Sequence, residues 1–259
     1  MGDKISINTN LLLVGVVLIL LVGGFILLNS QKNITINQTN TTQNTSQMQN
    51  TTHSSNQTNN QTTDTPIETN TIVISELTNG SMKLGPDNST LVIVEFSDMQ
   101  CPFCRKFWYQ SLSKIKTEYI ESGKVQFVFR HLPLDVHPMA QKSAEALLCA
   151  KEQNKEWEMH DKIYLEQIKI GALGTVRYGS YELLKWANET GLEMTSFQMC
   201  LSSGRYTNEV DFDKQYAKKL GFNATPSFII AKRDGSNIVP IVGTQMYATY
   251  NATINELLK

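Results

Sequence analysis

Two cysteines separated by two residues, Cys101 and Cys104, are the part of this 259-residue sequence best equipped to do chemistry. A Cys-Pro-Phe-Cys spacing suits either half of a zinc site or a redox pair. Zinc would normally need a second CxxC or a CxH-type knuckle, and the chain has neither. The redox reading has a physical cause. Trp108, Leu112, Ile115 and Tyr119 recur at helical spacing after the motif until Gly123, so the cysteines open an amphipathic helix. Unpaired N–H groups and the positive end of such a helix stabilise a thiolate on its first cysteine. Cys101 is therefore the expected nucleophile. Cys104, one turn further and facing the core, is its resolving partner.

Two more cysteines, Cys149 and Cys200, complete an even count of four. They could form a second redox centre, but their separation and helical settings favour a structural disulfide. Closing a loop of that size is worth about 4 kcal/mol in the chain-entropy model. His131, His137 and His160 are too widely spaced to read as ligands and are expected to be capping or core residues, as Trp157 and Trp186 are expected to be core. A formal net charge of -1 gives no electrostatic reason to expect nucleic acid as a partner.

The elements that must hold the motif follow from periodicity. Leu91 to Phe96 (LVIVEF) is a β-branched run of the kind buried on both sheet faces, interrupted only by Glu95. After the CxxC helix, Val125 to Arg130 (VQFVFR) reads as a second strand, which makes a right-handed β-α-β unit with parallel strands. Helical patterns then fill an insertion over about residues 138–212. Ser227 to Lys232 and Asn237 to Val242 form a hairpin across Arg233-Asp234-Gly235-Ser236, and a helix over Tyr247 to Leu258 closes the chain. That order is the one in which a thioredoxin-like α/β fold with an inserted α-helical domain is written.

Upstream the composition changes twice. Leu11 to Leu28 is an uncharged apolar run long enough, at roughly 27 Å as a helix, to cross a bilayer. Residues 1–30 are expected to be a transmembrane anchor, the competing reading being a signal peptide. No A-x-A-like site or lipobox cysteine follows the run. Residues 31–70 hold Asn, Gln, Thr or Ser at 31 of 40 positions, too polar to offset chain entropy by burial, and are expected to be a disordered stalk. Seven N-x-S/T sequons lie in it and five more follow, at Asn79, Asn88, Asn188, Asn223 and Asn251, so a glycoprotein outside the membrane is one expectation.

The phrase EFSDMQCPFCRKF resembles the active-site phrase of the DsbA-like thioredoxin family, with Cys101 and Cys104 on its two cysteines. FRHLPLDVHP, EWEMHDKIY, GFNATPSFII and VGTQMY resemble that family too, so that residues 71–259 form the expected DsbA-like domain. The resemblance implies a cis peptide at Thr225-Pro226 beside the CxxC, with the Thr225 backbone pairing to an incoming peptide. It implies a buried acid at Glu95 that exchanges protons with Cys104, which a carboxyl of raised pKa in an apolar strand would suit. Pro102, Phe103 and Thr225 would then meet the substrate, and Pro226 would complete the catalytic set.

The sequence departs from the best-known DsbA enzymes in one place. They carry Pro-His between the cysteines, and Phe103 cannot hydrogen-bond to a thiolate, so a less oxidising disulfide is expected. The implied activity is oxidation of thiols in unfolded exported proteins on the extracytoplasmic side, with no cofactor or metal beyond the redox disulfide. The implied recycling partner is a membrane quinone-linked protein of the DsbB or vitamin-K-epoxide-reductase type. A reductase or isomerase is the alternative within the fold. A copper chaperone, with Met99 as third soft ligand, is the alternative outside it.

Overall fold

The computed structural model describes residues 73–171 and 174–259. The expected anchor and stalk lie outside the described residues. Among the described residues no helix is long and apolar enough to cross a membrane.

A short helix α1 (Ile74–Thr78) and strand β1 (Met82–Leu84) precede the elements read from the sequence. Strand β2 (Leu91–Ser97) leads to helix α2 (Pro102–Phe107), which runs on through wide π-helical turns at Trp108–Leu112 and Lys116–Ile120. Gly123, at φ +74°, ends that run in the left-handed region where glycine carries no Cβ penalty. Strand β3 (Val125–His131) follows. The helices α3 (Ala140–Lys151), α4 (Glu156–Ile170), α5 (Ser180–Glu189), α6 (Met194–Ser203) and α7 (Thr207–Lys219) follow, the last of them over the helical pattern that the sequence carries to Leu220. Strands β4 (Ser227–Lys232) and β5 (Val239–Val242) and helix α8 (Tyr247–Leu257) complete the chain.

The sheet order is β1-β3-β2-β4-β5. β2 and β3 are parallel, with Leu91 opposite Val125, while β4 pairs antiparallel to β2 and β5 to β4. Because β2 is central, every one of its residues is buried. The two-residue period then sorts them. Leu91, Ile93, Phe127, Phe129, Phe228 and Ile230 pack with the CxxC helix, α8 and the insertion, while Val92, Val94, Phe96, Val128 and Ile229 pack with α1 and Phe222 on the other face. Glu95 and Ser97 share the parity of Leu91 and Ile93, so their side chains lie under the CxxC helix. Phe107 anchors that helix, with ring centroids 4.6 Å from Phe228 and 5.2 Å from Tyr250. Burying such a ring is worth about 1.5–3 kcal/mol.

The insertion is fixed at two points away from the CxxC helix. Cys149 on α3 and Cys200 on α6 form a disulfide with Cα atoms 5.8 Å apart. The Asp213 carboxylate on α7 meets the Arg130 guanidinium at 2.7 Å and accepts the His131 backbone N–H at 2.9 Å. His131 itself is buried, and desolvation holds its imidazole down at about 3, so it stays neutral. Trp186 is fully in the core and Trp157 is packed at its edge.

Candidate active site

The turn from β2 into α2 places both thiols. Cys101 is the extended residue before the helix and Pro102 its first helical position, where a missing N–H costs nothing. The Cys101 N–H donates to the Asp98 carbonyl at 3.0 Å, and the Arg105 N–H donates to the Cys101 carbonyl at 3.1 Å. Both cysteines are free thiols; Cys101 is 3% exposed and Cys104 wholly enclosed. Their environments push them apart. Cys101 is drawn below the ordinary thiol range, first by a hydrogen bond from Cys104 and then by Thr225 and the backbone N–H groups of Cys104 and Phe103. Cys104 is driven well above it by burial and by the neighbouring Cys101, Glu95 and Asp98. At neutral pH such a pair presents one thiolate, on Cys101.

From the other side the Thr225-Pro226 peptide, which is cis, approaches the thiols just before β4. Cys101 Sγ lies 3.5 Å from the Thr225 carbonyl oxygen, to which it donates only in its protonated form. Phe103 stands 59% exposed at the rim, and it borders a groove of about 630 Å³ with Pro102, Lys106 and Tyr109.

Glu95 lies beneath, 2% exposed. Desolvation pushes its carboxyl up to about 8, against a hydrogen bond from Ser97 at 2.7 Å that works the other way. At neutral pH it holds a proton within the electrostatic reach of both thiols. The structure thus brings Cys101, Cys104, Glu95, Thr225 and Pro226 together and leaves Cys149 and Cys200 apart, in the insertion.

Asp98 organises the turn, and sequence reading passed over it. Its carboxylate is buried and accepts the N–H groups of Gln100 at 2.7 Å and Leu134 at 2.9 Å; His137 Nδ1 sits 2.7 Å away. That bond raises the His137 pKa. Gln100 adds two ties to the insertion side, accepting the Met139 N–H and donating to the Val176 carbonyl, each at 2.8 Å. Arg105, directly after the motif, is buried and donates to Gln167 Oε1 at 3.0 Å and to the Gly174 carbonyl at 2.8 Å. An acid between a buried strand and a CxxC is the signal that could have found Asp98. His137, expected as a capping or core residue, lies against the site, and only its partner, 39 residues away, reveals that.

Among the described residues no cluster of three His, Cys, Asp or Glu side chains gathers as a metal site. Met99, which a copper reading would use, is packed in the core at 1% exposure. The arrangement can hold a thiolate at a helix N-terminus, enclose its partner thiol and supply or remove one proton beside it.

Comparison with known proteins bears on the family and the fold. Residues 77–250 match the family described as Thioredoxin. Over 152 residues the chain is 30% identical to a Bacillus anthracis protein called probable disulfide bond formation protein D, covering 57% of this chain and 68% of that one. It is 31% identical over 150 residues to Na(+)/H(+) antiporter NhaA 3 of Salinispora tropica; the match covers 58% of this chain but spans only 21% of that relative's length. Among solved structures, alpha-DsbA1 of Wolbachia pipientis superposes with a TM-score of 0.60 at 23% identity, over 70% of this chain and 92% of that one, a likeness of fold.

Proposed function

The chain belongs to the thioredoxin family, and from that premise we propose that it is a thiol-disulfide oxidoreductase that passes a Cys101–Cys104 disulfide to exported proteins outside the membrane. The observation that carries this reading is the asymmetry of the two thiols. One is enclosed and held protonated, and the other is a thiolate at a helix N-terminus beside Thr225-Pro226.

In the oxidising direction a substrate thiolate attacks Cys101 Sγ of the disulfide, and Cys104 leaves as a thiolate. In this reading neutral Glu95, buried within electrostatic reach of Cys104, gives that thiolate its proton. A second substrate thiolate then attacks the substrate sulfur of the mixed disulfide and releases Cys101. The substrate has lost two electrons and gained a disulfide, its two thiol protons having gone to water, and the enzyme is left with a Cys101 thiolate and a Cys104 thiol while Glu95 regains its proton from water. Re-oxidation falls to a membrane quinone-linked protein of the DsbB or vitamin-K-epoxide-reductase type, which accepts those two electrons.

Residues 1–30 are proposed to tether the domain and residues 31–70 to give it reach along the outer face. Retention of the full-length chain by alkali-washed membranes tests the tether. The match spans only 21% of the Salinispora relative, and the activity in that relative's name is not carried over.

The experiment is direct transfer. The disulfide form of the protein, mixed with a reduced unfolded protein, is expected to remove two substrate thiols per equivalent, with or without Cys149 and Cys200 replaced by Ala. Loss of transfer in a still-folded Cys149→Ala/Cys200→Ala variant would make the second pair part of the redox chain. No transfer by the unmodified protein would end the proposal.

A further inference from the structure

Two buried hydroxyls link Glu95 to the backbone that holds the nucleophile. Ser97, at the end of β2, donates to Glu95 Oε1 at 2.7 Å, and its Oγ lies 3.3 Å from Tyr164 Oη, which reaches in from α4. Tyr164 in turn donates to the Asp98 carbonyl at 3.2 Å, the same carbonyl that accepts the Cys101 N–H. Glu95, Ser97, Asp98 and Tyr164 are each at most 2% exposed. Each hydroxyl has a single proton to give, so the chain of bonds must have a direction.

We propose that Ser97 and Tyr164 form a hydroxyl switch that follows the proton on Glu95 and reports it to the Asp98 carbonyl in the turn holding Cys101. This rests on the reading of Glu95 as the proton partner of Cys104. With Cys104 in the disulfide and Glu95 neutral, the carboxyl O–H donates to Ser97, Ser97 to Tyr164, and Tyr164 to the Asp98 carbonyl, and once the Cys104 thiolate has taken that proton the chain of donors reverses. With Glu95 ionised, the carboxylate takes the Ser97 hydrogen, Ser97 takes that of Tyr164, and the Asp98 carbonyl keeps only the Cys101 N–H. No proton leaves either hydroxyl; both only rotate. Burial keeps the Tyr164 hydroxyl protonated well past the ordinary tyrosine range, so it remains a donor throughout.

Few other groups face Glu95. Its neighbours across the sheet, Phe129 on β3 and Phe228 on β4, are apolar. The titratable groups within its electrostatic reach are Cys101 and Cys104 with the CxxC helix, Tyr164 on α4, and Tyr250 on α8, while Asp98 acts on Cys104 from the turn. Each of these is an acid, so none offers the ionised carboxylate a positive charge. The basic groups nearest the chain are His131, opposite Ser97 on β3 and held neutral by burial, His160 against the Tyr164 ring, and Arg105, whose charge couples to Tyr164 and Cys101. The hydrogen relayed from Tyr164 through Ser97 stabilises the carboxylate directly, and Tyr164 is a positioning residue supplied by the insertion.

The test is the pH titration of the protonated-carboxyl infrared band of Glu95 in the disulfide form, the band being identified by its loss in Glu95→Gln. Tyr164→Phe is expected to move the midpoint to higher pH by about one unit, an ionisation constant about tenfold smaller, because a hydrogen bond to a charged group is lost. The alkaline limb of thiol exchange should move with it while the thermal midpoint of unfolding stays close to that of the parent. An unmoved midpoint in folded Tyr164→Phe overturns the switch. If that variant does not fold, Ser97→Ala carries the same expectation and the same refutation. A protein that transfers no disulfide would refute the oxidoreductase reading, yet its infrared midpoint would still decide for or against the hydroxyls.

Discussion

Cys101→Ser is expected to lower disulfide transfer to the uncatalysed rate, and Cys104→Ser to accumulate covalent complexes with substrate. Both follow from which sulfur is held as the thiolate. Cys101 is at the helix N-terminus with its thiol against the Thr225 carbonyl, whereas Cys104 is enclosed. In Cys104→Ser the surviving Cys101 thiolate can still attack a substrate disulfide, but nothing is left inside to resolve the product. Non-reducing electrophoresis reads the trapped species as a band that dithiothreitol removes. Trapping by Cys101→Ser in place of Cys104→Ser would exchange the two roles and leave the electrostatic asymmetry without a function.

Glu95→Gln is expected to stabilise the disulfide form at alkaline pH and to slow exchange. In the folded protein the carboxyl titrates at about 8, against an ordinary value of 4.5. Below pH 4.5 the group is protonated whether folded or unfolded and favours neither state. Between 4.5 and 8 the unfolded chain releases the proton and the folded one keeps it, so stability falls as pH rises, levelling off above 8. The full penalty is on the order of 5 kcal/mol, at about 1.4 kcal/mol for each pH unit between those values. Gln keeps an acceptor for Ser97 and removes the titration. Urea midpoints at pH 5 and pH 8.5 should therefore diverge between the two proteins, with the variant ahead at the higher pH. Exchange should slow most in the step where Cys104 gains or loses its proton. Equal midpoints at both pH values together with equal rates would mean that Glu95 neither bears the desolvation cost nor serves Cys104.

What the sequence discloses here depends on how local the information is. The strand at Leu91, the helix opened by Cys101 and the hairpin at Ser227 each follow from a short-range period and a turn signal, and all three form. Three-residue β1 is too short to show a period, and it exists because Met82 to Leu84 pair with Phe129 to Phe127. The helix after the CxxC keeps Leu112, Ile115 and Tyr119 buried as their spacing suggests, although its turns widen to the π form, a change the apolar pattern does not record.

At the site the division is the same. Cys101, Cys104 and Glu95 can be picked out within one strand-turn-helix phrase. Thr225 and Pro226 needed the family resemblance, because a Thr-Pro before a strand is otherwise ordinary. Asp98–His137 and Ser97–Tyr164 join residues 39 and 67 positions apart, and which side chains meet is decided by how the insertion docks on the sheet. No pattern within one element carries that.

The direction of catalysis turns on one number, the reduction potential of the Cys101–Cys104 pair, measured by equilibration with glutathione. The account combines a thiolate stabilised on Cys101 with Phe103 in place of the histidine that strengthens oxidation in the best-known DsbA enzymes. It predicts a value closer to about -120 mV than to about -270 mV, so that the disulfide passes readily to exported thiols. A value at or below about -270 mV, in the range of a cytosolic reductant, would contradict it.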